Sequence, residues 1–307
     1  MTLRAVLAAA LLAMLTISCA PAASTVAPTL EVEAAYGEPT PAGRYDATTV
    51  DEASGLAASV RNPGVWWLLD DGRTSTVWAI GAAGELIGPI KLSGFRSRDA
   101  EDLAVGPCAP EVARTCVYVG DIGDNSSRRS TIRVARFVEP DLSGGSAGTA
   151  GVPLRPVHAD VVDLRYPEAP SDAEALLVDM QGTPYVVTKE SHRLFRAEGF
   201  ADSTLADLGP VPLPRSTGPS LDDLAGHLVT SADSRPGRVL LRTYGEAFEY
   251  VAPDPRAPLS EFPSWPARMV PSAREPQSES IAYTRDGAGY ETLSEGDPTI
   301  WLVRRRG

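Results

Sequence analysis

Three glutamates recur in one short phrase along this chain: Glu101 in Asp99-Ala100-Glu101-Asp102-Leu103-Ala104, Glu174 in Asp172-Ala173-Glu174-Ala175-Leu176-Leu177, and Glu279 in Gln277-Ser278-Glu279-Ser280-Ile281-Ala282. A fourth copy, Glu52-Ala53-Ser54-Gly55-Leu56-Ala57, puts Ser54 at that position, and a weaker one, Ser220-Leu221-Asp222-Asp223-Leu224-Ala225, puts Asp222 there. If the copies close into a ring, these side chains converge on one mouth of a central channel. Converging carboxylates repel unless a cation or a raised pKa relieves them. Asp70, Asp71, Asp121, Asp124 and Asn125 add oxygens from neighbouring turns. An all-oxygen donor set of this kind suits a hard cation, Ca²⁺ or Mg²⁺. Glu101, Glu174, Glu279, Asp121 and Asp124 are the expected metal ligands. The structural alternative is that each acid accepts backbone hydrogen bonds between repeats or serves a tight turn.

Other catalytic signatures fail on context, and no catalytic residue is assigned. Gly144-Gly145-Ser146-Ala147-Gly148 spells a nucleophile elbow but lies in a Gly/Ser/Ala linker, where the elbow needs a strand before it and a helix after. His158, His192 and His227 fall in different repeats without metal-ligand spacing, His192 being the one beside other polar groups, Lys189 and Glu190. Arg128 and Arg129 read as a solvated loop, and Asn125-Ser126-Ser127 as a turn. No Gly-rich phosphate loop leads into a helix.

The elements that must position these residues are short strands. After each phrase come second strands at Val65–Leu69, Val117–Val119, Pro184–Thr188, Val239–Tyr244 and Gly289–Leu293, and third strands at Thr76–Ile80, Thr131–Phe137, Arg193–Arg196, Ala247–Val251 and Thr299–Val303. Fourth strands fit Leu86–Leu92, Ala159–Leu164, Leu205–Pro212 and Ala267–Val270. Short strands, Gly/Pro/Asp turns and almost no helical periodicity indicate an all-β chain. Four strands per unit make a single β-propeller, whose radial closure protects sheet edges. Five units are visible, and the long unit from Asp99 leaves room for a sixth, so five to six blades are expected. The last unit lacks a fourth strand, and Leu30–Tyr36 is expected to supply it from the N-terminus.

Residues 1–18 read as a signal peptide: Arg4 precedes the apolar run Ala5–Leu15, which is shorter than the roughly 20 residues a membrane span needs. Thr16-Ile17-Ser18-Cys19 resembles a lipobox, making Cys19 a lipid acceptor; cleavage after Ala20-Pro21-Ala22 would instead release a secreted chain. Residues 19–29 suit a flexible tether and 30–307 the propeller domain. Cys108 and Cys116 form an even pair expected to be a disulfide in an exported protein. With a formal charge of −12 and only two lysines, Lys91 and Lys189, the chain has no basic surface for nucleic acid. Membrane contact is expected only through the lipid.

Glu52–Ala57 with Asn62-Pro63-Gly64, Ala100–Ala104, Tyr118-Val119-Gly120-Asp121-Ile122-Gly123-Asp124-Asn125, Asp172–Leu177 with Val186-Val187-Thr188-Lys189, and Val239–Tyr244 together resemble a group of exported bacterial β-propellers. That group is similar in turn to the SdiA-regulated, strictosidine-synthase-like and phytase-esterase-like propellers. The resemblance spans Ala53–Val303 and implies the fold without implying one activity. Where relatives carry Asn-Asp-Ser-Gly, this chain has Leu69-Asp70-Asp71-Gly72. Two functions follow as expectations. One is a monomeric cell-envelope binding or scaffold protein whose mouth recognises a small molecule, glycan or protein. The other is a divalent-cation-dependent hydrolase of the lactonase, phosphatase or esterase kind.

Overall fold

The computed structural model describes residues 35–142, 154–214 and 226–306. A short strand, β1 (Thr40–Arg44), opens the described chain. Blade 1 is β2 (Ala53–Ala58), β3 (Val65–Asp70), β4 (Thr76–Gly81) and β5 (Leu86–Ser93). Blade 2 is β6 (Asp102–Pro107), β7 (Thr115–Asp121) and β8 (Ile132–Val138); β9 (Leu154–His158) then leaves to pair in parallel with β5, and β10 (Asp160–Arg165) returns as the fourth strand. Blade 3 is β11 (Ala173–Val178), β12 (Pro184–Thr188), β13 (Arg193–Arg196) and β15 (Ala206–Pro210), with β14 (Ser203–Thr204) lent to the edge of β10. Blade 4 is β16 (Val229–Arg235), β17 (Arg238–Thr243), β18 (Ala247–Val251) and β19 (Ala267–Val270), with a 3₁₀ turn at Leu259–Ser264 between the last two. Blade 5 is β20 (Gln277–Tyr283), β21 (Gly289–Glu295) and β22 (Asp297–Arg304), completed by β1.

The ring has five blades, and the N-terminal strand closes it as expected. The inner strands touch in the cycle β2, β6, β11, β16, β20 and back to β2. Five apolar cores fill the five interfaces: Trp67, Leu69 and Ile90 meet Leu103, Val119 and Phe137 between blades 1 and 2, and the other four clusters follow the same scheme. Inner and second strands are therefore covered on both faces. This is why β11, β12 and β3 read as nearly unbroken apolar runs instead of alternating. Within the described residues there is no sixth blade: the surplus length of the second unit goes into β9, and residues 143–153 lie outside the described residues.

Two strand expectations are corrected. The closing strand is Thr40–Arg44; of the expected Leu30–Tyr36 segment, Tyr36 makes a single bridge to Arg305 and residues 30–34 lie outside the described residues. Gly43 is needed there, because a Cβ on it would lie 2.1 Å from the Ala83 carbonyl oxygen of blade 1. In blade 4 the inner strand is Val229–Arg235, whereas Ser220 to Ala225, Asp222 included, lie outside the described residues. The Cys108–Cys116 disulfide is present, with Cα atoms 5.0 Å apart, and ties the far ends of β6 and β7.

One buried carboxylate stitches the inner strands together. Asp102, fully buried on β6, accepts the Leu103 N–H (2.9 Å) and the Ser231 hydroxyl (3.1 Å) on Oδ1. Its Oδ2 accepts the N–H groups of Leu176 in blade 3 (2.9 Å) and Ala232 in blade 4 (3.2 Å). The Ser231 hydroxyl oxygen in turn accepts the Ile281 N–H of blade 5 at 3.4 Å, and the Ser54 hydroxyl of blade 1 donates to the Glu101 carbonyl. Burial pushes the Asp102 pKa up, while all four donors favour the ionised, acceptor-only form. Each orphaned buried donor costs about 1–3 kcal/mol. Asp102→Ala is therefore expected to lose on the order of 4 kcal/mol or more in urea unfolding, against less than about 0.5 kcal/mol for the exposed Asp51→Ala. A loss near 1 kcal/mol for Asp102→Ala would remove the hub role.

Candidate functional site

Four of the five inner strands begin with an irregularity that turns residues out of the ladder. The register slips between Ala53 and Leu56, Ala173 and Ala175, Val229 and Ser231, and Ser278 and Ser280. The residues passed over are Ser54-Gly55, Glu174, Thr230 and Glu279. Glu101 holds the matching place just before β6, its N–H bonded to the Gly120 carbonyl at 2.9 Å. A bulge re-aims a side chain without breaking the sheet. Here it turns Ser54, Glu174 and Glu279 to the channel mouth; Thr230, buried and not lining the cup, holds the fifth position, where the sequence suggested Asp222.

The mouth is a cup of about 230 Å³. Ser54, Glu101, Glu174 and Glu279 line it from the inner strands. Asp71, Asn125, Lys189, Tyr244 and Glu295 enter from the ends of second strands, and Glu52 and Gln277 come from residues leading into inner ones. Three of the five expected ligands therefore meet in one cavity, together with the predicted Asp71 and Asn125.

On one wall, single oxygens of Asp71, Asp99 and Glu101 lie within 4.8 Å of one another. Paired bonds between Gly72 and Ala100 hold the two acidic segments side by side (3.2 and 3.0 Å). Gly123 makes room: a Cβ there would sit 2.0 Å from Glu101 Oε1 and 2.7 Å from Asp99 Oδ2. Glu101 is 6% exposed, and its carboxylate receives no hydrogen bond among the described residues. Asp71 Oδ1 is sealed from solvent and without a donor. Burial, then the neighbouring acids, push Glu101 well above the carboxylate range; burial first and Asp99 second push Asp71 to about 6. Three hard oxygens within 4.8 Å of one another, one of their carboxylates carrying a sealed oxygen without a donor, form a donor set that fits Ca²⁺ or Mg²⁺.

Across the cup, Lys189 donates to Glu174 and lies 5.5 Å from the centroid of the Tyr244 ring. Burial pushes Glu174 up to about 8 despite the opposing ammonium. Glu279 accepts the Gln277 amide at 2.7 Å, and burial takes it to about 7.

Asp121 and Asp124 do not line the cup. Asp121 is fully buried and paired with Arg133 (Nε 2.8 Å) and Arg129 (Nη2 3.0 Å). Its Oδ1 also accepts the N–H groups of Arg98 and Asp99, both at 3.0 Å, so Asp121 positions Asp99. Asp124 accepts the Arg129 N–H at 2.7 Å and donates its own N–H to Asp172. Asp70 accepts the Glu52 N–H at 3.2 Å. None of the three histidines lines the cup. Asp99 on the acidic wall and Glu52, Lys189, Tyr244, Gln277 and Glu295 in the cup were not singled out; of these, Lys189 and Tyr244 follow directly after β12 and β17. Asp71 stands at the same place after β3, so extending that positional rule to blades 3 and 4 would have found both.

Asp71, Glu279 and Glu174 bind protons more tightly folded than unfolded. Without a cation, their contribution is present below the unfolded carboxylate range near pH 4 and is lost as pH rises through the folded values, about 6 to 8. Urea midpoints measured in chelator should therefore fall between pH 5 and pH 8, and Glu279→Gln should flatten part of that fall. A wild-type midpoint that rises over this window would contradict the assignment.

No protein-family model matches the chain, and no curated protein matches it. Among solved structures it is similar to two β-propeller proteins. One is a streptogramin B lyase, with 8% identity over 88% of this chain and 98% of the other and a TM-score of 0.44. The other is the PQQ-bound aldose sugar dehydrogenase from Streptomyces coelicolor, with 9% identity over 90% of this chain and 100% of the other and a TM-score of 0.45.

Proposed function

We propose that the protein binds a divalent cation, Ca²⁺ or Mg²⁺, through Asp71, Asp99 and Glu101, and that the cup presents the cation to a small oxygen-rich ligand. The observation that carries this reading is the Glu101 carboxylate, buried, without a donor and opening into the cup beside two further acids. A buried carboxylate with no partner costs several kcal/mol unless it is protonated or meets a cation. Asn125 and Glu279 supply further oxygens from the cup lining. The volume suits one sugar-sized or smaller group, which favours a small molecule or a single glycan unit over a folded protein partner. We assign the work to the cell envelope, with the propeller exported by residues 1–18 and tethered through a lipidated Cys19. The Cys108–Cys116 disulfide supports an oxidising compartment.

A hydrolase is the second reading, and the Glu174–Lys189–Tyr244 group favours it. A bound cation would supply Lewis acidity toward a carbonyl or phosphoryl oxygen. Glu174 would then take a proton from attacking water, with Lys189 holding its carboxylate in place.

Cation binding should stabilise the fold by about 2.7 kcal/mol at a concentration 100 times Kd, seen as a rise of roughly 5–10 °C in Tm over the chelated protein. Glu101→Gln should abolish that rise. If Ca²⁺, Mg²⁺ and Mn²⁺ all leave Tm unchanged, the cation reading fails. For the hydrolase reading, Glu174→Gln and Lys189→Met should each cut turnover of a lactone or aryl-ester panel by at least about 100-fold while the cation-induced rise persists. Absence of turnover in the wild type across lactones, esters and phosphate esters would leave the binding reading alone.

A further inference from the structure

The described chain begins on the face opposite the cup. Strand β20 leaves the cup at Gln277 and Glu279 and ends at Tyr283, which at about 3.3 Å per residue is roughly 20 Å from the mouth. Strands β21 and β22 share that far end, where Gly289 pairs with Arg304. Tyr36 is bound there: it bridges Arg305, whose N–H meets the Ala288 carbonyl of the β20–β21 turn at 2.8 Å. The Ala35 carbonyl accepts the Arg306 N–H at 2.7 Å, and the Gly37 N–H donates to the Arg304 carbonyl at 2.8 Å. From this point β1 runs back toward the mouth, from Thr40 opposite Leu302 to Arg44 opposite Thr299.

The Tyr36 side chain fixes that place. It is buried in the seam between blades 4 and 5, its ring edge-on to Tyr290 with centroids 5.0 Å apart. Its hydroxyl donates to Glu249 Oε1 at 3.0 Å, and the same oxygen takes the Tyr283 hydroxyl (3.0 Å) and Arg238 Nη1 (2.9 Å). Arg268 Nε holds Oε2 at 3.1 Å. Hydrogen bonds to an ionised acid that two guanidinium groups already fix are strong ones. A pull on the chain before Ala35 is therefore taken up by blades 4 and 5, and not by the edge strand β1 alone. The two faces also differ in charge. Around Tyr36 stand the exposed Arg304 and Arg306, with Glu38 and Asp286 as exposed acids beside them. At the mouth Asp51 and Glu52 are exposed, with Asp71, Asp99 and Glu101 behind them. A sheet of lipid phosphates meets mixed charge at the first face and like charge at the second.

We propose that the face around Tyr36 rests against the bilayer and the cup opens away from it, so that the cup's ligand arrives from water and is not a membrane lipid. This rests on the reading of Cys19 as lipidated and is independent of the cation. Residues 20–34 join Cys19 to Ala35, and a random-coil chain of about fifteen residues spans about 20 Å root-mean-square. That equals the height from Tyr36 to the mouth, so turning the cup to the bilayer would spend the whole tether along the side of one blade. The test uses the full acylated chain on vesicles of phosphatidylcholine with about 30% phosphatidylglycerol, carrying a nitroxide on a fraction of the headgroups. Ala288→Cys, in the β20–β21 turn, and Ala47→Cys, in the loop that leads to Glu52, are both at exposed positions and each takes a bimane fluorophore. Because the two labels differ in depth by about 20 Å, the nitroxide should quench the first at least about threefold more than the second. Gln181→Cys, exposed in the β11–β12 turn of the same far face, replaces Ala288→Cys should that variant not fold. Cys19→Ser should release the protein from the vesicles. Equal quenching of the two labels on acylated, vesicle-bound protein, or stronger quenching at Ala47→Cys, overturns the orientation alone. A full chain that carries no acyl group by mass and stays off the vesicles overturns the lipid reading, and the orientation with it.

Discussion

The carboxylate of Asp102 is the interaction on which the rest of this propeller depends. A ring of radial sheets leaves the inner edge of every blade facing the axis with backbone groups that no neighbouring strand pairs, and buried N–H groups must find acceptors. Five blades bring those edges close enough for one acid to serve three of them. Asp102 takes N–H groups from β6, β11 and β16, and its partner Ser231 extends the network to β20. The axis is consequently filled by protein beneath the mouth.

Glu101, the preceding residue, shows how differently one functional group can be used across a single peptide bond. Asp102 is fully buried and saturated by four donors; Glu101 is buried at the edge of the cup, and its carboxylate has none among the described residues. The carboxylate chemistry is the same, so the difference comes from which way the chain turns as it enters β6. A fold selected for stability alone would replace an unpartnered buried carboxylate by an apolar or amide group, since the unpaired charge is destabilising and its protonated form gains little. Glu101 stands beside Asp71 with an orphaned oxygen and next to Gly123, which keeps the space clear, so this corner of the ring costs the fold stability that Asp102 does not.

Most of the scaffold was legible because strand residues obey a two-sided burial rule and turns obey backbone chemistry. Val65–Asp70, Pro184–Thr188 and Ala267–Val270 announce themselves as β-branched, aromatic or apolar runs between Gly, Pro and Asp. The inner strand of blade 4 did not, because Val-Thr-Ser-Ala-Asp-Ser-Arg is polar: the Ser231 and Ser234 hydroxyls and Asp233 bond to other blades, a role only tertiary structure reveals. Thr40–Arg44 was hidden in the same way, since Pro41 and Gly43 have poor strand propensity and the pairing with β22 is imposed by ring closure. For the site, recurrence located Glu101, Glu174 and Glu279 correctly at one mouth. It could not separate Asp121 from them, because the arginines that claim Asp121 lie 8 and 12 residues further on, and proximity in sequence does not show which acid a guanidinium reaches.

The ring is also unequal around its circumference, and that inequality sets the charge of each wall of the cup. Glutamate at all five recurrent positions would crowd like charges whose repulsion no single cation could relieve. Instead Ser54 and Thr230 stand at two positions, so the three glutamates are not five. Blade 3 adds Lys189, which takes Glu174 as its partner and lowers the charge of that wall. The opposite wall, where Asp71 and Asp99 join Glu101, has no such ammonium and keeps its negative potential. Field and shape therefore agree: a cation placed in the cup is drawn to the blade 1–2 wall, and the space left faces Lys189 and Tyr244, where a ligand held by that cation would meet a hydrogen-bond donor and an aromatic ring.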